Sequence, residues 1–133
     1  MIELMFPYQE TTDGITVRVS VSYLPDQSAP EQSRWFWSYH IRIENHREGP
    51  VQLITRHWRI TDGMGLMTPV EGAGVVGEQP VIRPGAAHDY VSGCPLPTPD
   101  GSMRGHYMMV DEGPDPILAM IPEFPLEAPA NAR

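Results

Sequence analysis

The sequence predicts an all-β domain, a sandwich or a barrel, and three observations predict it. Two segments, 14–24 and 34–45, alternate apolar and polar residues with a period of two. The 15 prolines and 12 glycines are spread along all 133 residues, so no segment sustains a helical period. Turn signals recur between short apolar runs, as they do between successive strands of sandwiches and barrels.

Residues 1–13 read as an irregular lead-in. In "GITVRVSVSYL", Ile15, Val17, Val19, Val21 and Tyr23 share one face, opposite Thr16, Arg18, Ser20 and Ser22. "PDQSAPEQS" is a proline-broken loop. In "RWFWSYHIRIEN", Trp35, Trp37, Tyr39, Ile41 and Ile43 share a face whose aromatic and β-branched density suits a long strand on a core. After the turn signal "HREGP" comes a third strand, "VQLITRHWRITD". Its buried face is ambiguous, because Ile54, Trp58 and Ile60 oppose Val51, Leu53 and His57. "DGMG" is a tight turn and "RPGAAH" another. "HDYVSGC" and "MRGHYMMV" are strands on either side of the proline-rich loop "PLPTPDGS". "DEGPDP" turns into a last apolar segment, "ILAMIPEF". One domain is expected over 1–126, with 127–133 as a flexible C-terminal tail.

The net charge of −8 and pI of about 4.9 disfavour nonspecific binding to nucleic acid or an anionic membrane. No apolar run reaches the roughly 18 residues of a membrane span. The opening "MIELMFPYQE" has acid and proline where a signal peptide needs a basic end and an apolar stretch, so a cytoplasmic location is expected. Cys94 is the single cysteine and fits a reducing compartment. Every basic residue is arginine, which excludes lysine Schiff-base chemistry and a P-loop lysine.

Gly72, Gly74 and Gly77 in "EGAGVVGEQP" fit G-x-G-x-x-G. A dinucleotide fingerprint needs a strand before the glycines and a helix after them. Pro80 and Pro84 with their β-branched neighbours leave no room for that helix. Two readings remain. The glycines supply positive φ and close backbone approach in a turn or bulge, or their amides form an anion nest aided by Arg56 or Arg59. Amides already paired in a sheet favour the first; a solvent-facing concavity beside an arginine favours the second.

The chain resembles the ApaG family, also described as DUF525. The carrying residues are "YHIRIEN" with "RHWRITD", then "GAGVVGEQPVIRPG", "YVSGCPL", "GSMRGHYMM" and "IPEF", in that order across most of 15–125. The resemblance implies a fibronectin type III-like, immunoglobulin-like two-sheet β-sandwich. The bacterial family name reflects a gene beside a diadenosine tetraphosphate hydrolase, and members have been linked to cobalt and magnesium handling. Related domains in eukaryotic F-box proteins and in a DNA polymerase-interacting protein look like protein-binding modules. A nucleotide-binding role has been proposed from the glycines that fall at Gly72, Gly74 and Gly77. His88 and His40 depart from the family pattern, where a large aromatic and a small β-branched residue are usual.

No catalytic or metal set emerges. His40, His46, His57, His88 and His106 lack ligand spacing. Cys94 and Ser92 have no partner base in sequence, and "DEGPDP" lacks calcium-loop spacing. The expected function is therefore a non-enzymatic binding module without a cofactor, mediating protein–protein interaction with an unidentified partner. The alternative is a binder of nucleotide polyphosphate or pyrophosphate (GTP, diadenosine tetraphosphate) through Gly72, Gly74 and Gly77. Edge pairing would also allow a homodimer.

Overall fold

The computed structural model describes residues 2–133. A single helical turn, α1 (Ile2–Met5), precedes β1 (Tyr8–Thr12) and β2 (Ile15–Tyr23). Two 3-10 turns lead to β3 (Trp35–Asn45), β4 (Val51–Asp62) and β5 (Met67–Ala73). A two-residue strand, β6 (Val81–Ile82), is followed by β7 (Ala87–Leu96), β8 (Asp100–Val110) and β9 (Ile117–Glu127). The strands form two antiparallel sheets, ordered β1-β2-β3-β7 and β5-β4-β8-β9, with β6 also on β4. This is the two-sheet sandwich of the sequence expectation.

The period-two segments became the strands with the clearest inner faces. Along β3, burial alternates without a break from Trp35 to Asn45. The third strand was ambiguous for a physical reason. Between Leu53 and Thr55 the β4–β8 register slips by one residue. A bulge of this kind inverts the facing of everything beyond it. Val51 and Leu53 therefore point inward before it, and Arg56, Trp58 and Ile60 point inward after it, leaving Thr55, His57 and Arg59 outward. The two inner faces meet at an aromatic junction. Trp58 lies edge-on to Tyr39 at 5.4 Å and to Phe124 at 6.0 Å between ring centroids.

Two expectations need correction. The lead-in contains β1, paired to β2 from Tyr8↔Val19 to Thr12↔Ile15. Asp13 and Gly14 both have positive φ, the Asp-Gly hairpin signature. The polar "YQETT" carried no alternation because β1 is a largely exposed edge strand. The second concerns residues 127–133, expected as a flexible tail. Ala128 is buried and donates its N–H to Pro99 O at 2.8 Å. The indole of buried Trp35 donates to Ala132 O at 2.6 Å, and Arg133 Nε donates to Ala128 O at 3.1 Å. A buried indole N–H needs an acceptor, and the terminal turn supplies it.

Trp35→Phe keeps an aromatic ring but removes that donor and part of the buried indole volume. It is expected to lower stability by about 2 kcal/mol and to raise fast amide motion over 129–133, measured by urea denaturation and 15N relaxation.

Candidate functional site

The sandwich is closed along one side and open along the other. On the closed side β9 packs beside β1 and β2, with Met120 N–H donating to Thr12 Oγ1 at 3.3 Å. On the open side the β5 and β7 edges stay apart and leave a two-lobed cleft. The larger lobe, about 410 Å³, runs past Ile60, Thr68, Val70, Cys94 and Leu96. The smaller, about 300 Å³, lies beneath Val75, Gly77 and Tyr90. Tyr39, Arg56, Trp58 and Ser92 line both lobes.

Arg56 is the charged centre of this cleft, and Gly72 is the reason it fits. The two residues are partners across the β4–β5 ladder. A Cβ on Gly72 would lie 2.9 Å from the guanidinium nitrogens. Without it, the guanidinium folds over β5 and Nη1 donates to Ala73 O at 3.1 Å and Gly74 O at 2.9 Å. Among the described residues Arg56 has no carboxylate partner. Around it, burial pushes the Tyr39 phenol above its ordinary range, with Ser92 and Arg56 opposing. Burial raises Tyr90 and Tyr107 further, and their hydroxyls hydrogen-bond to each other. These phenols stay protonated at any ordinary pH. Burial also pushes the Cys94 thiol up to about 11, so it is a lining group and not a thiolate.

Apolar side chains rim the cleft. Leu66 and Val76 are exposed by 66% and 65%, far more than core-forming residues of their type. Leu66 is placed there by the 62–66 turn. Asp62 Oδ1 accepts from Met64 N–H at 2.9 Å and Leu66 N–H at 3.0 Å, and Gly65 supplies the positive φ. Val76 is placed by a two-residue hairpin. Val75 and Glu78 exchange both backbone hydrogen bonds, at 2.8 and 3.0 Å, and Val76 and Gly77 between them have φ of 47° and 78°. Positive φ at both central residues makes this a type I′ turn, where a β-branched residue is strained.

The three glycines occupy different environments. Gly74 is buried, and its N–H donates to Ile54 O at 2.8 Å. Its φ is +65°, and a Cβ there would lie 2.2 Å from Glu78 O, so substitution breaks the hairpin whatever it does to a ligand. By ladder alternation, the 56/72 pair is of the same hydrogen-bonded type as 54/74. Gly77 is exposed at the turn, with no backbone partner for its amide among the described residues. Sequence reasoning named Arg56 as a candidate beside the glycines, and the structure places it there. It missed Trp58, Tyr39 and Ser92, which converge only because β3, β4 and β7 meet at the open side. Arg59 lies on the opposite face of its sheet. Among the described residues no group of three or more His, Cys, Asp or Glu is placed to hold a metal ion, and no helix is long and apolar enough to cross a membrane.

Val76→Asn converts the hairpin to Asn-Gly and is expected to raise the unfolding free energy by about 1 kcal/mol, read as a higher urea midpoint at unchanged m-value. The Cys94 thiol of the native chain should react with a disulfide reagent at pH 8 at least about tenfold more slowly than that of the urea-unfolded chain.

Comparison with known proteins agrees with this architecture. A protein from Caulobacter vibrioides named Protein ApaG is 51% identical over 125 residues, covering 94% of this chain and 89% of its own. A Protein ApaG from Pseudomonas aeruginosa is 52% identical, covering 90% of this chain and 95% of its own. The crystal structure of the ApaA protein from Bordetella pertussis superposes with a TM-score of 0.84 at 46% identity, covering 91% of this chain and 98% of that one. The ApaG domain (DUF525) family model matches residues 25–111, from the loop before β3 to the end of β8. On the matched residues, the shared sandwich and the extent of identity, the chain belongs to the ApaG domain family.

Proposed function

We propose that the chain is a non-catalytic, cytoplasmic protein-binding module that takes an extended apolar segment of a partner in the cleft between β5 and β7. The observation that carries this reading is the cleft itself. It has an aromatic floor at Tyr39 and Trp58, exposed apolar side chains along its rim, and one cation, Arg56, that pairs with no carboxylate among the described residues. Exposed apolar residues gathered along a groove, beside an arginine and aromatics, have the composition of a recognition surface. A partner segment with an apolar anchor and an adjacent carboxylate would fill the lobes and meet the unused guanidinium donors of Arg56.

Side-chain recognition is favoured over strand addition. The 54/74 bond sets even-numbered β5 residues toward β4, so the odd-numbered ones face the open edge. There Pro69 presents no N–H, which interrupts the edge at its centre. The same proline argues against a homodimer paired through β5. A second reading, nucleotide polyphosphate in the smaller lobe, keeps Arg56 and Gly77 but has only one free amide of the three glycines.

Selection of random peptides against the folded chain is expected to enrich sequences pairing apolar and acidic residues. In an amide NMR titration these should shift Leu66, Val70, Val76, Ser92 and the Trp58 indole. Leu66→Asp and Val70→Asp, at partly or largely exposed rim positions, should abolish those shifts while leaving the melting temperature within a few degrees. Failure to enrich any sequence, or shifts confined to another face, would reject the cleft as the binding site.

A further inference from the structure

The outer faces of the two sheets handle cations in opposite ways. On the β1-β2-β3-β7 sheet every outward arginine is matched. Arg18 and Arg42 each meet Glu44 at 3.0 Å, Arg42 also reaches Asp89 at 3.0 Å, and His40 meets Asp89 at 2.9 Å. On the other sheet, Arg59 of β4 and Arg104 of β8 are direct register partners. Both are exposed, and neither makes a hydrogen bond or ion pair among the described residues. Next along the same ladder stand His57 and His106, with rings stacked 4.5 Å apart at 13°. Like charges placed directly across a ladder repel, and this strip lies in a chain of net charge −8.

The surroundings give the strip a shape. The β8–β9 register slips between Met103 and Gly105, beside a concavity of about 360 Å³ that Arg59, Arg104, His106 and Met120 share. Glu10 of β1 and Glu123 of β9 also line it. From β5, Glu71 Oε1 lies 3.4 Å from His57 Nδ1, and Thr55 Oγ1 hydrogen-bonds to His57 Nε2 at 2.9 Å.

We propose that Arg59 and Arg104, flanked by His57 and His106, form a site for a small anion with adjacent phosphoryl groups. A guanidinium offers a planar fork that matches phosphate oxygens in pairs. Cross-strand partners stand about 5 Å apart at Cβ, so two forks can converge on neighbouring oxygens of one ligand. The anion would relieve the repulsion that the empty strip carries. The site is separate from the β5/β7 cleft, on the opposite face of its sheet, and does not rest on the protein-binding reading. Burial and the nearby charges of His57 and Arg59 hold His106 below its ordinary pKa. A bound anion reverses the charge contribution, so His106 takes up a proton on binding. Affinity then rises as pH falls through the histidine range, against the opposing carboxylates Glu10, Glu71 and Glu123.

The experiment is calorimetric titration of the full chain with pyrophosphate at pH 6 and pH 8, with histidine ring resonances followed by NMR. Binding should be tighter at pH 6, and the titration of His106 should move to higher pH when pyrophosphate is present. Arg59→Gln and Arg104→Gln should each weaken binding about tenfold or more, whereas Arg56→Gln in the cleft should leave it unchanged. Adenosine diphosphate, which shares the chemistry, separates the sources. Tighter binding than pyrophosphate marks a nucleotide ligand, and equal or weaker binding marks an inorganic one. No binding at millimolar pyrophosphate, unchanged affinity in both strip variants, or loss in Arg56→Gln would overturn the proposal. The wild-type histidine titration reads the site without relying on any variant's folding, and an unmoved His106 would overturn it as well.

Discussion

One inserted residue in β4 organises this molecule. The register slip between Leu53 and Thr55 inverts the facing of the rest of the strand. Because of it, Arg56 and Trp58 enter the space between the sheets, and His57 and Arg59 stand on the outer surface. Without the slip, a guanidinium would face solvent, and His57 and Arg59 would be driven into the core beside Tyr39 and Phe124. The aromatic junction and the outer basic strip are thus two consequences of one backbone irregularity. Each surface carries a different chemistry on alternate residues of the same strand.

The cleft exists because the sandwich is sealed asymmetrically. β9 lies against β1 and β2, and the aromatic rings at the centre pack edge to face, a geometry worth about 0.5–1.5 kcal/mol per pair beyond burial. Among the described residues no strand seals the opposite side. There the hairpin at Val75–Glu78, anchored by buried Val75, and the Asp62-capped turn hold apolar side chains at the mouth. Gly72 and Gly74 serve this architecture. The first leaves room for Arg56, and the second lets β5 turn into the hairpin. Gly77, the third glycine of the spacing, has open space around it and supplies the positive φ of the turn.

Charge is partitioned as well. Burial pushes the Glu44 carboxyl up, but hydrogen bonds from Arg18, Arg42 and His46 outweigh it and hold the group below its ordinary range. That network neutralises the outer face of one sheet internally. The other sheet leaves its facing arginines unmatched, although the chain as a whole is strongly acidic. Self-neutralised charge offers little to a partner, whereas unmatched like charge retains an attraction for an external anion.

Periodicity made the fold class, the inner faces of β2 and β3 and the 62–65 turn legible, because alternation is a local property and each residue's facing follows from its neighbours. Family motifs extended that reading to most of the chain. The sequence by itself thereby determined an all-β sandwich whose core is aromatic and β-branched. It could not show β1, whose polar edge residues do not alternate, or the docking of 127–133, whose anchor is an indole nearly a hundred residues away. The phase of β4 beyond Leu53 was undetermined too, since a bulge is defined by the partner strand and not by the bulged one. What a glycine accommodates, which arginine finds a carboxylate and which side of the sandwich stays open depend on neighbours distant in sequence. Only the tertiary structure decided these, because each is a contact between strands and not a property of any one of them.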